Sequence, residues 1–447
     1  MTTTTQVAEN RHPWLASLPP QGGPRWLQDL RERGAARFSA LGFPTVRDEE
    51  WRFTNVAPVS TGEFRLADGT AAVSEKQLAS LLYGDARFRL VVVNGRYRPD
   101  LSRVQGLPAK VRVGSLAAMI NGDLAADSEN VQRYLGQLAD LGVRAFDALN
   151  TARIEDGAFV HIPDGAIVTE PIQVMFISTG ESAGVATASH PRLLVVVGSQ
   201  AQARLVETYV GWGGRYFVNA VTEVFVGEHG VLDHYKVQED SLDAFHIASM
   251  HVHTSRSATF SSHSFTIGGK LVRNDAVAIL DGEGAECTLN GLYLADGDRL
   301  VDNHTTIDHA KAHCPSHEIY KGILGGKARA VFNGKIIVRP DAQKTNAKQT
   351  NRALLLSDSA SINTKPQLEI FADDVKCTHG AAIGQIDEDA IFYLRARGLT
   401  LAEARDMLIH AFAGEILDRV QIEPLKRALE AELYAQLAKD LAEVDAR

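Results

Sequence analysis

The sequence predicts a mainly β protein built on a parallel β-solenoid, with a mixed helix-and-strand region before it and a helical domain after it. Three observations carry this reading. Between residues 157 and 386, short β-branched runs are separated by Gly, Asp or Ser, with almost no helical periodicity. The turn tips Gly198, Gly227, Ser255, Gly282, Gly325 and Ser357 recur at about 28 residues or small departures from it, and such a period marks stacked repeats. Beyond residue 387 the pattern becomes helical.

Bulk properties narrow the function. A chain of 447 residues has room for two or three domains, or for one long repetitive body with appendages. Its net charge of -9 argues against a nucleic-acid partner, which would want a basic face. No stretch approaches the roughly 18 apolar residues of a membrane span. The opening MTTTTQVAENRHPW lacks the basic and apolar regions of a secretion signal and reads as a disordered tip. Cys287, Cys314 and Cys377 are too few for a disulfide framework and suit a reducing compartment, so a cytoplasmic location is expected.

The first region, 1–156, has helical spacing at 26–41, a short apolar strand at 88–93 and helical spacing again at 130–141. Its segment DEEWRFTN, 48–55, is compact, and Trp51 reads as an aromatic anchor. The core, 157–386, contains RLLVVVG, VTEVFVG and AVAILDG, each ending on a turn tip. Each coil is expected to supply two or three short strands and two corners, with alternate residues facing inward. A sandwich would show no such long-range period.

The last region, 387–447, opens with Asp387, Glu388 and Asp389 at a helix start and Arg395 and Arg397 at its end, signs that suit the helix dipole. Gly398 supplies the stop, and Thr400 with Glu403 makes a capping box for the next helix. Leu401, Ala404, Leu408, Ala411 and Phe412 form one apolar stripe. Pro424 opens a last helix lined by Leu425, Leu429, Leu433, Leu437 and Leu441. These helices must pack on the solenoid or on a partner.

Two clusters invite a metal reading. In DHAKAHCPSH, 308–317, a continuous strand would place His309, His313 and His317 on one face and Cys314 on the other. That split argues against the closed ligand set zinc requires and for residues that fill solenoid corners. Cys377 and His379 share strand parity just upstream of the helical hairpin. They read either as a buried thiol beside a satisfied histidine or as half a metal site that a partner completes. Phosphate-loop, dinucleotide, nucleophile-elbow and HExxH templates are missing. The alternative class is a stand-alone β-helix enzyme, metal-dependent or carbohydrate-active. Only 7% aromatic residues and no export signal count against sugar cleavage.

The segment NRALLLSDSASINTKPQLEIFADDVKCTHGAAIGQIDEDAIFYLRARGL, 351–399, resembles the SufB/SufD family of SUF iron–sulfur cluster assembly scaffolds. DNHTTIDHAKAHCPSHEIYKGIL, 302–324, and DEEWRFTN resemble it too, so the likeness spans essentially the whole chain. In the SufB branch the stretch G-D-K-C-G-A-H-T carries a cysteine where this chain has Ala360 within SDSASINT, so the resemblance falls on the SufD branch.

The resemblance implies a right-handed parallel β-helix and a non-catalytic scaffold. SufB would join through the solenoid ends, or a second copy of the chain when it is alone. The SufC ATPase would dock on the C-terminal helices through Tyr393, Arg395, Arg397, Gly398, Met407, Leu408 and Phe412. It further implies that His379, with Cys377 as its neighbour, meets a SufB cysteine where iron or a nascent iron–sulfur cluster is held transiently. No tightly bound cofactor is expected.

Overall fold

A computed structural model describes residues 20, 22–122, 125–180 and 184–445, with the side chains of 125–127 and 436–445 excepted. The tip expected at the start of the chain, Leu437 and Leu441 fall outside these descriptions. Two parallel sheets alternate along residues 158–384 and form a solenoid of about seven turns. Sheet A runs from Ser361–Ile370 through Arg329–Val338, Leu300–His309, Leu271–Leu280, Phe245–Thr254 and Tyr216–Val226 to Arg192–Val197 and Ala158–Ile162. Sheet B runs from Lys376–Gly384 through Asn346–Leu355, Pro315–Leu324, Glu286–Ala295, Thr259–Thr266, Val231–Glu239 and Gln202–Trp212 to Ile172–Thr179 and Phe88–Val93. Each coil therefore spends two strands, one per sheet. Phe217 pairs with Phe245, Phe245 with Leu271, Leu271 with Leu300 and Leu300 with Arg329, steps of 28, 26, 29 and 29 residues.

Alternation decides which residues enter the lumen. In Tyr216–Val226, Val218, Ala220, Val224 and Val226 join the core between the sheets, whereas Phe217 and Phe225 point outward beneath N-terminal elements. One column of corners is held by a residue in the left-handed region in six successive coils: Gln200, His229, Ser257, Gly284, His313 and Lys344. Each donates its amide to the corner above, from Gln200 to Glu228 and onward to Lys344 and Asp374. Gly198, Gly227, Ser255 and Gly282 lie two residues before members of this column. Gly325 and Ser357 belong to the opposite corners. The expected tip series therefore jumped from one edge of the solenoid to the other. Its missing members are the corners 310–314 and 339–345, neither of which contains a glycine.

The N-terminal region closes one end. Phe88–Val93 continues sheet B in parallel, Arg96–Tyr97 turns antiparallel to it, and Arg112–Ser115 lies antiparallel to Ala158–Ile162. Both sheets thus run past residue 157 into that region. The helix expected at 130–141 occupies Ala125–Tyr134 instead. Gly136 turns left-handed there, and the buried Glu223 carboxylate takes the amides of Gly136, Leu138 and Ala139 while pairing with Arg192.

DEEWRFTN clamps the outer face of sheet A. The buried Arg273 guanidinium lies 3.9 Å from the Trp51 ring centroid. It bonds Asp275 at 3.0 Å, Asp302 at 2.9 Å and the Glu50 carbonyl at 2.6 Å. His304 stands 3.0 Å from Asp302 and 3.3 Å from Glu50. Burial disfavours its charged ring, but the Asp302 charge and both carboxylate bonds outweigh this and lift its pKa to about 8.

The C-terminal domain folds back over the outer face of sheet B. Its helices are Glu388–Arg395, Leu401–Leu417 and Glu423–Asp445, with the expected Asp387 cap and the Thr400–Glu403 capping box both formed. Ala404, Ile409, Ala413, Ile416, Leu417, Leu425, Leu429 and Leu433 are buried. This group packs on Val206, Tyr235, Val237, Phe265, Leu292 and Ile323. Lys321 donates to the Phe412 carbonyl at 2.8 Å and pairs with Glu415 at 2.5 Å. The expected stripe is rotated by about one position: Leu401 and Ala411 are exposed. Two neighbouring apolar rows share Ala404 on this helix, and the sheet takes the one that continues through Ile409, Ala413, Ile416 and Leu417.

A raised histidine pKa stabilises the fold fully below the unfolded value near 6.5, and that contribution disappears as pH rises through about 8. The stability gap between the wild type and His304→Gln should therefore be larger at pH 6 than at pH 9, by up to about 2 kcal/mol. Denaturant melts at the two pH values check this; an unchanged gap would refute it.

Candidate functional site at the open end of the solenoid

The C-terminal end of the solenoid carries no cap. Lys376–Gly384 pairs on one side only, with Asn346–Leu355, and Ser361–Ile370 pairs on one side only, with Arg329–Val338. Two strands of nine and ten residues therefore present free edges side by side. Most of their residues are exposed or half-buried, and Ile370, Phe371 and Ile383 are 39%, 63% and 47% exposed. An uncovered edge with apolar side chains is a template for a further strand.

Cys377 and His379 lie on this last strand. Register pairs Cys377 with Ala347 and His379 with Gln349, both fully buried lumen residues, so the two donors sit on lumen-facing positions of the final coil. Being two residues apart on one face, they are about 6–7 Å apart along the strand. Cys377 is half-buried against Val338, Ala342 and Ala347, and burial raises its thiol pKa. His379 is exposed. Among the described residues, no group of three or more His, Cys, Asp or Glu side chains could hold a metal ion. The chain thus offers two donors at an unfinished end.

The other histidine-rich segment has a different form. Residues 308–317 are not one strand but the end of Leu300–His309, a corner and the start of Pro315–Leu324. His309 is buried and bonded to Ser316 at 2.9 Å, and burial lowers its pKa to about 4. The buried Cys314 thiol donates to the Gly282 and Ala312 carbonyls. His313 is exposed at the left-handed corner position, and His317 is exposed on the outer face. No single strand spans 308–317, so strand parity does not sort these side chains, and of the expected corner-filling residues His309 and Cys314 make the bonds.

The residues singled out on the C-terminal helices separate into two groups. Tyr393, Arg395, Arg397, Gly398 and Met407 are exposed, and the Arg397 guanidinium stacks 4.3 Å from the Tyr393 ring centroid. Leu408 and Phe412 are half-buried against the sheet-B cluster. Phe392, 75% exposed, and Leu401, 46% exposed, extend the outward apolar surface. Phe392 was missed by sequence reasoning, although its place outside the buried Ile391 position was the available signal.

Adjacent residues give a clean contrast. Leu408→Asp should lower stability by about 2 kcal/mol through lost packing and a charge set against the sheet-B cluster, while Met407→Asp should stay within about 0.5 kcal/mol. Equal losses in chemical denaturation would contradict the packing described.

Comparison with known proteins agrees with this architecture. The family model for the SUF system FeS cluster assembly SufBD core domain matches residues 176–412, and that for the SufBD protein N-terminal region matches residues 20–174. A SufBD family iron–sulfur cluster assembly protein of Synechocystis is 36% identical over 90% of this chain and 89% of its own length. The iron–sulfur cluster assembly protein SufD of Escherichia coli is 31% identical over 89% of this chain and 90% of its own length. SufD of Bacillus subtilis is 25% identical over 91% and 93%. With both domains matched in order along a two-sheet solenoid open at its C-terminal end, the chain belongs to the SufBD family of SUF-system iron–sulfur cluster assembly proteins.

Proposed function

We propose that this protein is a non-catalytic scaffold subunit of cytoplasmic iron–sulfur cluster assembly that supplies half of a shared site at its open solenoid end. The observation that carries the reading is the pair of free strand edges with Cys377 and His379 on the lumen side of the last coil. A partner with a matching solenoid end would continue both sheets and bring its own donors opposite His379. SufB, a paralogue in the same family, is that partner in this reading, and a second copy of this chain takes its place when SufB is absent. Iron or the nascent cluster is cargo here. Two protein donors from one side hold it weakly enough for release, which a closed four-ligand site would oppose.

The exposed surface of Phe392, Tyr393, Leu401 and Met407, flanked by Arg395 and Arg397, is the docking face for the SufC ATPase. Leu408 and Phe412 serve this face indirectly, by fixing the hairpin to sheet B. No helix among the described residues is long and apolar enough to cross a membrane.

His379→Ala in the co-expressed complex should cut iron–sulfur cluster formation about tenfold or more without loss of subunits from the complex. Absorbance and iron content of the purified complex are the readouts. Full cluster yield with an intact complex would eliminate the proposed site. Absence of an ABC-type ATPase from a pull-down with the full chain, and its unchanged capture by a Tyr393→Asp, Met407→Asp variant, would each count against the docking face.

A further inference from the structure

Three lumen residues line up in one column of sheet B. Glu318 pairs in register with Gln349, and Gln349 pairs with His379. Below them Leu289 closes the column with a buried apolar side chain. Glu318 and Gln349 are each 1% exposed. The Gln349 Nε2 donates to a Glu318 carboxylate oxygen at 2.8 Å, which fixes the orientation of the amide. With Nε2 committed inward, the amide oxygen Oε1 is left buried with no hydrogen-bond partner among the described residues. An orphan buried acceptor of this kind is destabilising until a donor reaches it.

The opposite sheet leaves room for this amide. Gly334 faces it, and a Cβ at Gly334 would lie 2.3 Å from Gln349 Nε2 and 2.7 Å from its Cδ, so any larger residue there would displace the side chain. The lumen is shaped around an amide whose oxygen is unused, one strand spacing of about 4.8 Å from the histidine strand.

We infer that Gln349 is a positioning residue for His379: its Oε1 accepts one imidazole N–H and leaves the other ring nitrogen directed to the cargo iron, with Glu318 holding the amide in place. This deepens the scaffold reading and rests on it for the iron. A metal-binding histidine gains orientation and a defined tautomer when its second nitrogen donates to a fixed acceptor. Here the acceptor comes from the preceding coil, so a turn of the exposed His379 ring onto it would set the tautomer without any group from a partner.

The test uses the full chain, histidine labelled with nitrogen-15 and metal-free, at pH 8. At that pH Glu318, which burial lifts to about 7, is a carboxylate. The His379 ring signals are identified by their loss in His379→Ala. The wild type should show one dominant tautomer, and Gln349→Leu should shift the ring signals toward a tautomer mixture. Unchanged ring signals in a folded Gln349→Leu would overturn the proposal. Should that variant fail to fold, the swapped double variant Glu318→Gln, Gln349→Glu reverses the bond, with the amide at 318 donating to the carboxylate at 349, and still leaves an oxygen at 349 as the outward acceptor. It should preserve the single tautomer, and loss of it there would equally overturn the proposal. In the complex, Gln349→Leu should weaken ferrous iron binding 10- to 100-fold. Unchanged affinity would reject the positioning role. If His379→Ala leaves cluster formation intact while Gln349→Leu still alters the ring signals, the shared-site reading has failed and the hydrogen bond stands on its own.

Discussion

Parallel strands satisfy their backbone hydrogen bonds only through the coil on either side, and this single requirement organises the molecule. Every internal coil meets it, from the pairing of Ala158–Ile162 with Arg192–Val197 to that of Asn346–Leu355 with Lys376–Gly384. At the N-terminal end the requirement is met by antiparallel closure through Arg96–Tyr97 and Arg112–Ser115. At the C-terminal end the chain leaves the last coil and turns its helices away along the outer face of sheet B. The unsatisfied edge and the two candidate donors therefore coincide because both belong to the final coil. Edge strands are normally blunted by short length, charge or a covering element. Here both are of full coil length.

The polar content of the lumen follows from the same geometry. Glu207 bonds His234 at 2.8 Å and Thr222 at 2.7 Å, and His234 reaches Ser262 at 2.9 Å. Asp240 holds Tyr216 at 2.8 Å and Gln238 at 2.6 Å. Burial opposes ionisation of Glu207, yet its bonds to His234 and neighbouring positive charge hold its pKa well below the usual carboxylate range. Buried charges of this kind contribute little net stability compared with apolar packing. They do penalise slippage, because a strand shifted by one residue would strand an ion without its partner.

Much of the architecture was legible from sequence because alternation and corner chemistry repeat. The strand at 88–93, the helix at 26–41, the caps at Asp387 and Thr400 and the solenoid period each have a local signal. What escaped has a physical reason. The corner 310–314 carries His313 in a left-handed conformation, so glycine spacing skipped it, and the histidines around it looked like a ligand row. Glu318 and Gln349 carry no local signal in the sequence, and only the stacking of coils buries them in the lumen. The buried stripe of the second C-terminal helix was misplaced because two apolar rows compete and only the sheet decides between them. At the candidate site, the position of Cys377 and His379 on one strand face was readable. That this strand is the last one, with an empty edge, required the fold.

The way the terminal helices are fastened has a mechanical consequence. They are not suspended from the final strand; Lys321, Tyr235 and a broad apolar seam tie them to coils well inside the stack. Force applied to the hairpin would be shared among those coils and would swing the rod as one stiff arm, with little peeling of its tip. Small rotations at the hairpin would then become larger sideways excursions at the far termini, the behaviour of an oar turning in its rowlock.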